Sequence, residues 1–161
     1  MTPSRFVAIA LLALCPGFPA LAGGKKDGKS GISFHLQADP TDNPKMIFAQ
    51  MTNGQQVFYR RSPEVMTKDI SAFAPFDSED GEGFGTLLQL KSPARNRLAA
   101  TTNANVNRWL LAMVNGRVVD AVIIDKQIDD GQMVIWKGIG QSEIDAFDAQ
   151  VPRIGEKKPR R

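Results

Sequence analysis

Residues 92–124 read S-P-A-R-N-R-L-A-A-T-T-N-A-N-V-N-R-W-L-L-A-M-V-N-G-R-V-V-D-A-V-I-I, and after a short turn residues 131–138 read G-Q-M-V-I-W-K-G. Ser92 is a good N-cap, and Pro93 suits the first helical position because a proline there gives up no hydrogen bond. A helix of about four turns is expected to follow. Two apolar, β-rich runs come next, residues 109–114 and 118–124, joined by Asn115-Gly116. That dipeptide is the strongest short-range signal for a tight hairpin, because both central residues need positive φ. The order is helix, hairpin, third strand.

Working outward, residues 32–38 alternate Phe34, Leu36 and Ala38 against His35 and Gln37, as a half-buried strand does. Residues 46–51 and 55–60 flank Asn53-Gly54, a second hairpin signal. Thr67 is placed to cap a short helix running to Phe73, and residues 77–85 (D-S-E-D-G-E-G-F-G) form an acidic loop. Residues 85–91 make a strand with Leu88 and Leu90 on one face. Asp129-Asp130-Gly131 turns into a strand over 132–137, and a last helix spans 142–149. Six or seven strands and three helices, paired mostly through hairpins, predict an α+β fold: an antiparallel or mixed sheet with helices packed on one face. The long helix is expected to bury Leu98, Thr102 and Val106 at i, i+4 and i+8.

The ends of the chain differ from its middle. Residues 1–22 have the organisation of a signal peptide: Arg5, then an apolar run from Phe6 to Leu14, then Ala20-Leu21-Ala22, with cleavage expected after Ala22. The run is too short to span a bilayer, and no later run approaches that length. Cys15 is the only cysteine, so a chain cut after Ala22 has neither disulfide nor thiol chemistry. Residues 23–31 read as a flexible linker, 32–151 as a single domain, and 152–161 as a basic disordered tail. The formal net charge of +3 comes from these ends. Lys25, Lys26 and Lys29 lie in the linker, and Arg153, Lys157, Lys158, Arg160 and Arg161 lie in the tail, around a net-acidic body. An acidic body in an exported chain argues against nucleic acid as a partner. The expected location is periplasmic or otherwise extracytoplasmic.

Residues 103–124 also resemble a family. The run N-A-N-V-N-R-W-L-L-A-M-V-N-G-R-V-V-D-A-V-I-I is similar to the head subdomain of the first periplasmic domain of SecD and fused SecDF, the protein-export auxiliary subunits. Thr102, Asn105, Val106, Arg108, Gly116, Val118, Ala121 and Ile123 fall on the family pattern without a gap. Upstream, V-F-Y-R-R-S-P-E-V-M-T-K-D-I (57–70) resembles the entry segment of the family. Downstream, residues 128–131 and the helix over 141–147 resemble its last hairpin and helix. The resemblance spans roughly residues 57–151. It implies the head fold, with Asn105, Val106, Asn115, Gly116, Ala121 and Gly131 as structural positions, and a surface that contacts emerging polypeptide. Val122 departs from it, standing where the family often has proline. The transmembrane helices of the family, with their proton-conducting acids, have no counterpart here, so energy-coupled export by this chain alone is not expected.

Other chemistries find little support. Residues 23–30 (G-G-K-K-D-G-K-S) match the G-x-x-x-x-G-K-S phosphate loop literally. That loop works only between a buried strand and a helix, and here a signal peptide precedes and a strand follows. His35 is the only histidine, so neither a zinc cluster nor a triad with a second imidazole can form. Its place on the polar face of a strand predicts exposure. Asp77, Glu79, Asp80 and Glu82 offer oxygen ligands but miss the spacing of a calcium loop. Met46 and Met51 are expected in the core. Trp109, Met113, Met133 and Trp136, on strands expected to be neighbours, read first as core residues and second as a candidate adaptable apolar partner surface. The function expected from all this is an exported, non-enzymatic interaction module without a cofactor. Its partner would be a polypeptide or an envelope protein. The alternatives are a periplasmic hydrolase of unidentified type and an envelope-surface binder acting through the basic tails.

Overall fold

The computed structural model describes residues 31–156; the expected signal peptide, the phosphate-loop match and residues 157–161 of the basic tail lie outside them. The described elements are β1 (Ile32–Leu36), β2 (Ile47–Thr52), β3 (Gln55–Arg60), β4 (Val65–Met66), a 3-10 turn (Thr67–Asp69), β5 (Ile70–Asp77) and β6 (Phe84–Leu90). They continue with α1 (Ser92–Ala104), β7 (Trp109–Val114), β8 (Arg117–Ile123), β9 (Gln132–Ile139) and α2 (Gln141–Asp148). Every pair of these strands is antiparallel. One sheet runs β4-β1-β7-β8, another β5-β6-β9, and β2-β3 form a separate two-stranded ribbon. The fold is α+β, as the hairpin signals predicted.

Both hairpin dipeptides turn as expected. Asn115 and Gly116 have φ of 53° and 78°, and Asn53 and Gly54 have 49° and 74°. These values match the type I′ turn, whose twist suits flanking strands. The sheets meet where β8 passes β9. Asp120 accepts the Trp136 N–H at 3.0 Å, and the Arg117 guanidinium donates to the Gly138 carbonyl at 2.9 Å. Side chains rather than a backbone ladder join the two sheets here.

Four local expectations are corrected. Ser92 is the first residue of α1 and Lys91 its N-cap, one position earlier than expected. The helix buries Ala94, Leu98 and Thr102 but stops at Ala104. Asn107 then adopts φ of 68° and its N–H reaches the Ile124 carbonyl at 2.8 Å, which turns the chain into β7 and leaves Val106 42% exposed. No helix runs from Thr67 to Phe73. The Thr67 hydroxyl accepts the Ile32 N–H at 2.8 Å instead of capping, and residues from Ile70 onward join the ladder with β6. Finally, Pro152 to Ile154 belong to the fold rather than to a tail. The Pro152 carbonyl accepts the Phe73 N–H at 3.1 Å, and the Ile154 N–H donates to the Phe73 carbonyl at 2.8 Å.

Two cores sit on opposite faces of β7. Leu110, Ala112 and Val114 point into the main core with Phe34, Leu36, Phe73, Leu88, Leu98 and Ile135. Ile144 and Phe147 of α2 enter the same core. Leu111 points the other way, into a smaller core with Val57 and Tyr59 from the ribbon. Leu110, Leu111 and Val114 are all fully buried, which accounts for the unbroken apolar run in this strand.

Candidate partner surfaces

The four residues that are candidates for core or partner surface are separated. Trp109 and Met113 lie on the Leu111 face of β7 and are half-covered by the ribbon. Met133 is buried in the main core. Trp136 alone is open, at 56% exposure. The reason is register. Met133 and Ile135 occupy the core face of β9, while Val134 and Trp136 alternate onto the outer face. There, Trp136 meets the Phe76 ring edge-on, with centroids 6.2 Å apart. Ala74, Leu87 and Val134 stand opposite one another across the three strands and are half-buried, which extends this apolar outer face.

The rim of that face is polar. Asp80 accepts from the Ser78 hydroxyl at 2.6 Å and from the Glu82 N–H at 3.1 Å, and pairs with Lys137 at 3.5 Å. The Ser78 hydrogen bond, first among these contacts, holds the Asp80 carboxyl below its ordinary range. Glu79, Asp80, Trp136 and Lys137 line a cleft of about 290 Å³. No group of three or more metal-ligating side chains is gathered to hold an ion among the described residues.

The second surface is the ribbon, whose methionines were expected in the core. Phe48, Gln50 and Thr52 pair across with Tyr59, Val57 and Gln55. Phe48, Val57 and Tyr59 of this inner face pack on β7 and β8. The Tyr59 hydroxyl lies 2.7 Å from Thr52 Oγ1, and burial raises its pKa. His35 sits beneath the ribbon and is only 8% exposed, against expectation. Its Nδ1–H donates to the Arg60 carbonyl at 2.8 Å, Nε2 accepts from the Ser33 hydroxyl at 3.0 Å, and the Phe48 ring stands edge-on at 5.4 Å. Burial lowers the imidazole pKa from 6.5, partly offset by the Arg60 carbonyl. Alternation along β1 correctly turned His35 away from the main core, but the ribbon covers that side too. Met46 and Met51, expected inside, are 57% and 61% exposed. Met46 lines a cleft of about 320 Å³ with Asp42, Asn43, Ile47, Arg60 and Ser62.

The positions matched to the family pattern have structural surroundings. The Asn105 amide donates to the Thr101 carbonyl at 2.8 Å, closing α1. Asn115 Oδ1 accepts the Gly31 N–H at 2.8 Å, and its amide donates to Glu143 at 3.1 Å. Gly116 supplies the positive φ of the turn. Ala121 packs at the edge of the smaller core. Gly131, with φ of 73°, approaches the aliphatic part of Arg95, and its carbonyl accepts the Leu90 N–H. Val106 is the exception, exposed beyond the helix end.

The fold these elements define is SecDF-like. No family model matches the chain, and no curated protein matches it in sequence. Solved structures do match. One is SecDF, a membrane component that enhances protein export, with a TM-score of 0.54 and 16% identity over 84% of this chain and 72% of that one. Another is SecDF in its super-membrane-facing form, with a TM-score of 0.52 and 16% identity over 78% of this chain and 19% of that one. The likeness establishes the fold. No helix among the described residues is long and apolar enough to cross a membrane.

Proposed function

We propose that this chain is an exported, non-enzymatic interaction module that resembles the periplasmic head of SecDF and contacts extended polypeptide outside the cytoplasm. The likeness to SecDF over 84% of the chain carries the reading. The apolar outer face of Trp136, Phe76, Leu87 and Val134 supports it, because large apolar groups gathered on a surface mark sites of protein contact. The signal-peptide pattern of residues 1–22 fits an extracytoplasmic setting.

A photo-crosslinker placed at Trp136 in the protein expressed in its own envelope tests the reading. A broad ladder of secreted-protein adducts is the expected result. A single discrete envelope protein would mean that the fold serves as a dedicated adaptor, and the polypeptide reading would be dropped.

A further inference from the structure

We infer that the outer edge of β2 is a docking strand that takes up an extended, uncharged polypeptide segment by β-augmentation. The inference rests on the reading of this chain as a polypeptide-contacting module, and gives that contact a place.

The edge follows from register. The two-residue turn makes Thr52 and Gln55 a hydrogen-bonded pair, and the Arg61 N–H to Met46 carbonyl bond at 2.8 Å closes the same alternation at the far end. The N–H and C=O groups of Ile47, Ala49 and Met51 therefore point away from β3. Among the described residues none of these groups has a backbone partner. On the matching edge of β3 two carbonyls are occupied: that of Phe58 accepts the Ala38 N–H at 2.8 Å, and that of Arg60 accepts from His35.

The other strand edges among the described residues are short, interrupted or at least partly covered. β4 is two residues long. β5 carries Pro75 and is partly covered by Pro152 and Ile154. β8 and β9 face each other across Asp120 and Arg117. Natural sheets blunt their edges with charge, proline, bulges or cover. β2, reading I-F-A-Q-M-T, has none of these. A row of free backbone donors and acceptors is complementary to another extended backbone.

The chemistry of the edge selects the occupant. The strand bears no charge, and Met46 and Met51 at its two ends are exposed, flexible and polarizable, which suits contact with varied apolar side chains. The cleft of about 320 Å³ beside Met46 and Ile47 can receive one such side chain. A six-residue edge is about 20 Å long and covers on the order of a few hundred Å². That is below the roughly 800 Å² per partner of a stable dimer, so passing polypeptide is favoured over a second copy of this chain.

The test measures binding of a fluorescein-labelled, end-capped peptide of Thr, Val, Ser and Gln, extended and without charged side chains, to the purified protein. Ala49→Pro deletes the central outward N–H but no ribbon hydrogen bond, and Met51→Lys adds a charge to the edge. Each is expected to weaken binding about tenfold with the melting temperature unchanged. Should Ala49→Pro unfold the ribbon, Met51→Lys decides alone. Wild-type affinity in both variants, or loss only with Trp136→Ser, would overturn the edge and leave the polypeptide reading standing. No binding by the wild type would overturn both. A wild-type dimer in sedimentation that Ala49→Pro abolishes would show a second copy on the edge and overturn the inference.

Discussion

His35 Nδ1 and the Arg60 carbonyl lie 2.8 Å apart, so the first strand of the larger sheet holds the ribbon through a neutral imidazole. Burial favours the neutral form and lowers its pKa from 6.5. The unfolded chain therefore binds the proton more readily than the folded one. The contribution of His35 to stability is fully present above pH 6.5 and is lost as pH falls towards the lowered value. Denaturation midpoints measured between pH 8 and pH 5 should fall below pH 6.5, and the fall should be shallower in His35→Gln. An equal slope in the two proteins would remove His35 as the cause.

The turn at Asn115 and Gly116 predicts a backbone cost without a steric one. No atom lies within 4 Å of a Cβ built on Gly116, yet its φ is 78°. Gly116→Val should lower stability by about 1–3 kcal/mol, because a β-branched residue resists positive φ. Urea denaturation reads this directly, and an unchanged midpoint would contradict the turn.

The end of α1 can be probed by two truncations. Leu98 is fully buried, so Leu98→Ala should cost about 2–5 kcal/mol. Val106 lies past the helix end, and Val106→Ala should stay within about 0.5 kcal/mol. Equal costs at the two positions would restore the longer helix.

Beyond α2, Arg153 pairs with Asp148 at 2.8 Å and its guanidinium stands 6.0 Å from the centre of the Phe73 ring. A chain ending at Val151 loses these contacts and the two backbone bonds to Phe73. Its melting temperature should fall below that of a chain ending at Glu156. Equal melting of both truncated chains would return residues 152–154 to the tail.

Much of the fold was legible because turn chemistry is local. Asn-Gly pairs, and Pro93 inside a helix start, state their conformation without reference to distant residues. Several of the misread positions share one cause: partners that lie far away in the chain. Thr67 gives its hydroxyl to Ile32, so it does not cap a helix, and nothing near Thr67 announces that. His35 was correctly turned from the main core, but the ribbon that buries it is built on the Asn53-Gly54 hairpin, whose packing face the alternation of Phe48 and Tyr59 alone does not assign. Whether Trp109, Met113, Met133 and Trp136 face the core or solvent is hidden for the same reason. Trp109 and Trp136 share an apolar character, and only the register of β9 shows that Met133 faces inward and Trp136 outward.

The pairing of Ile32 with Val114 has a consequence for the order in which the protein takes shape. β1, synthesised early, pairs with the two residues of β4 first but finds its five-residue ladder with β7 only after Val114 has been made. Until then β1 has neither β7 beside it nor the Leu111 face on which the ribbon rests. A nascent chain shorter than that cannot close either core, and non-local pairing of this kind is slow to form. The molecule should therefore remain open for most of its own synthesis, and its main core closes only after Ile135, Ile144 and Phe147 have been made.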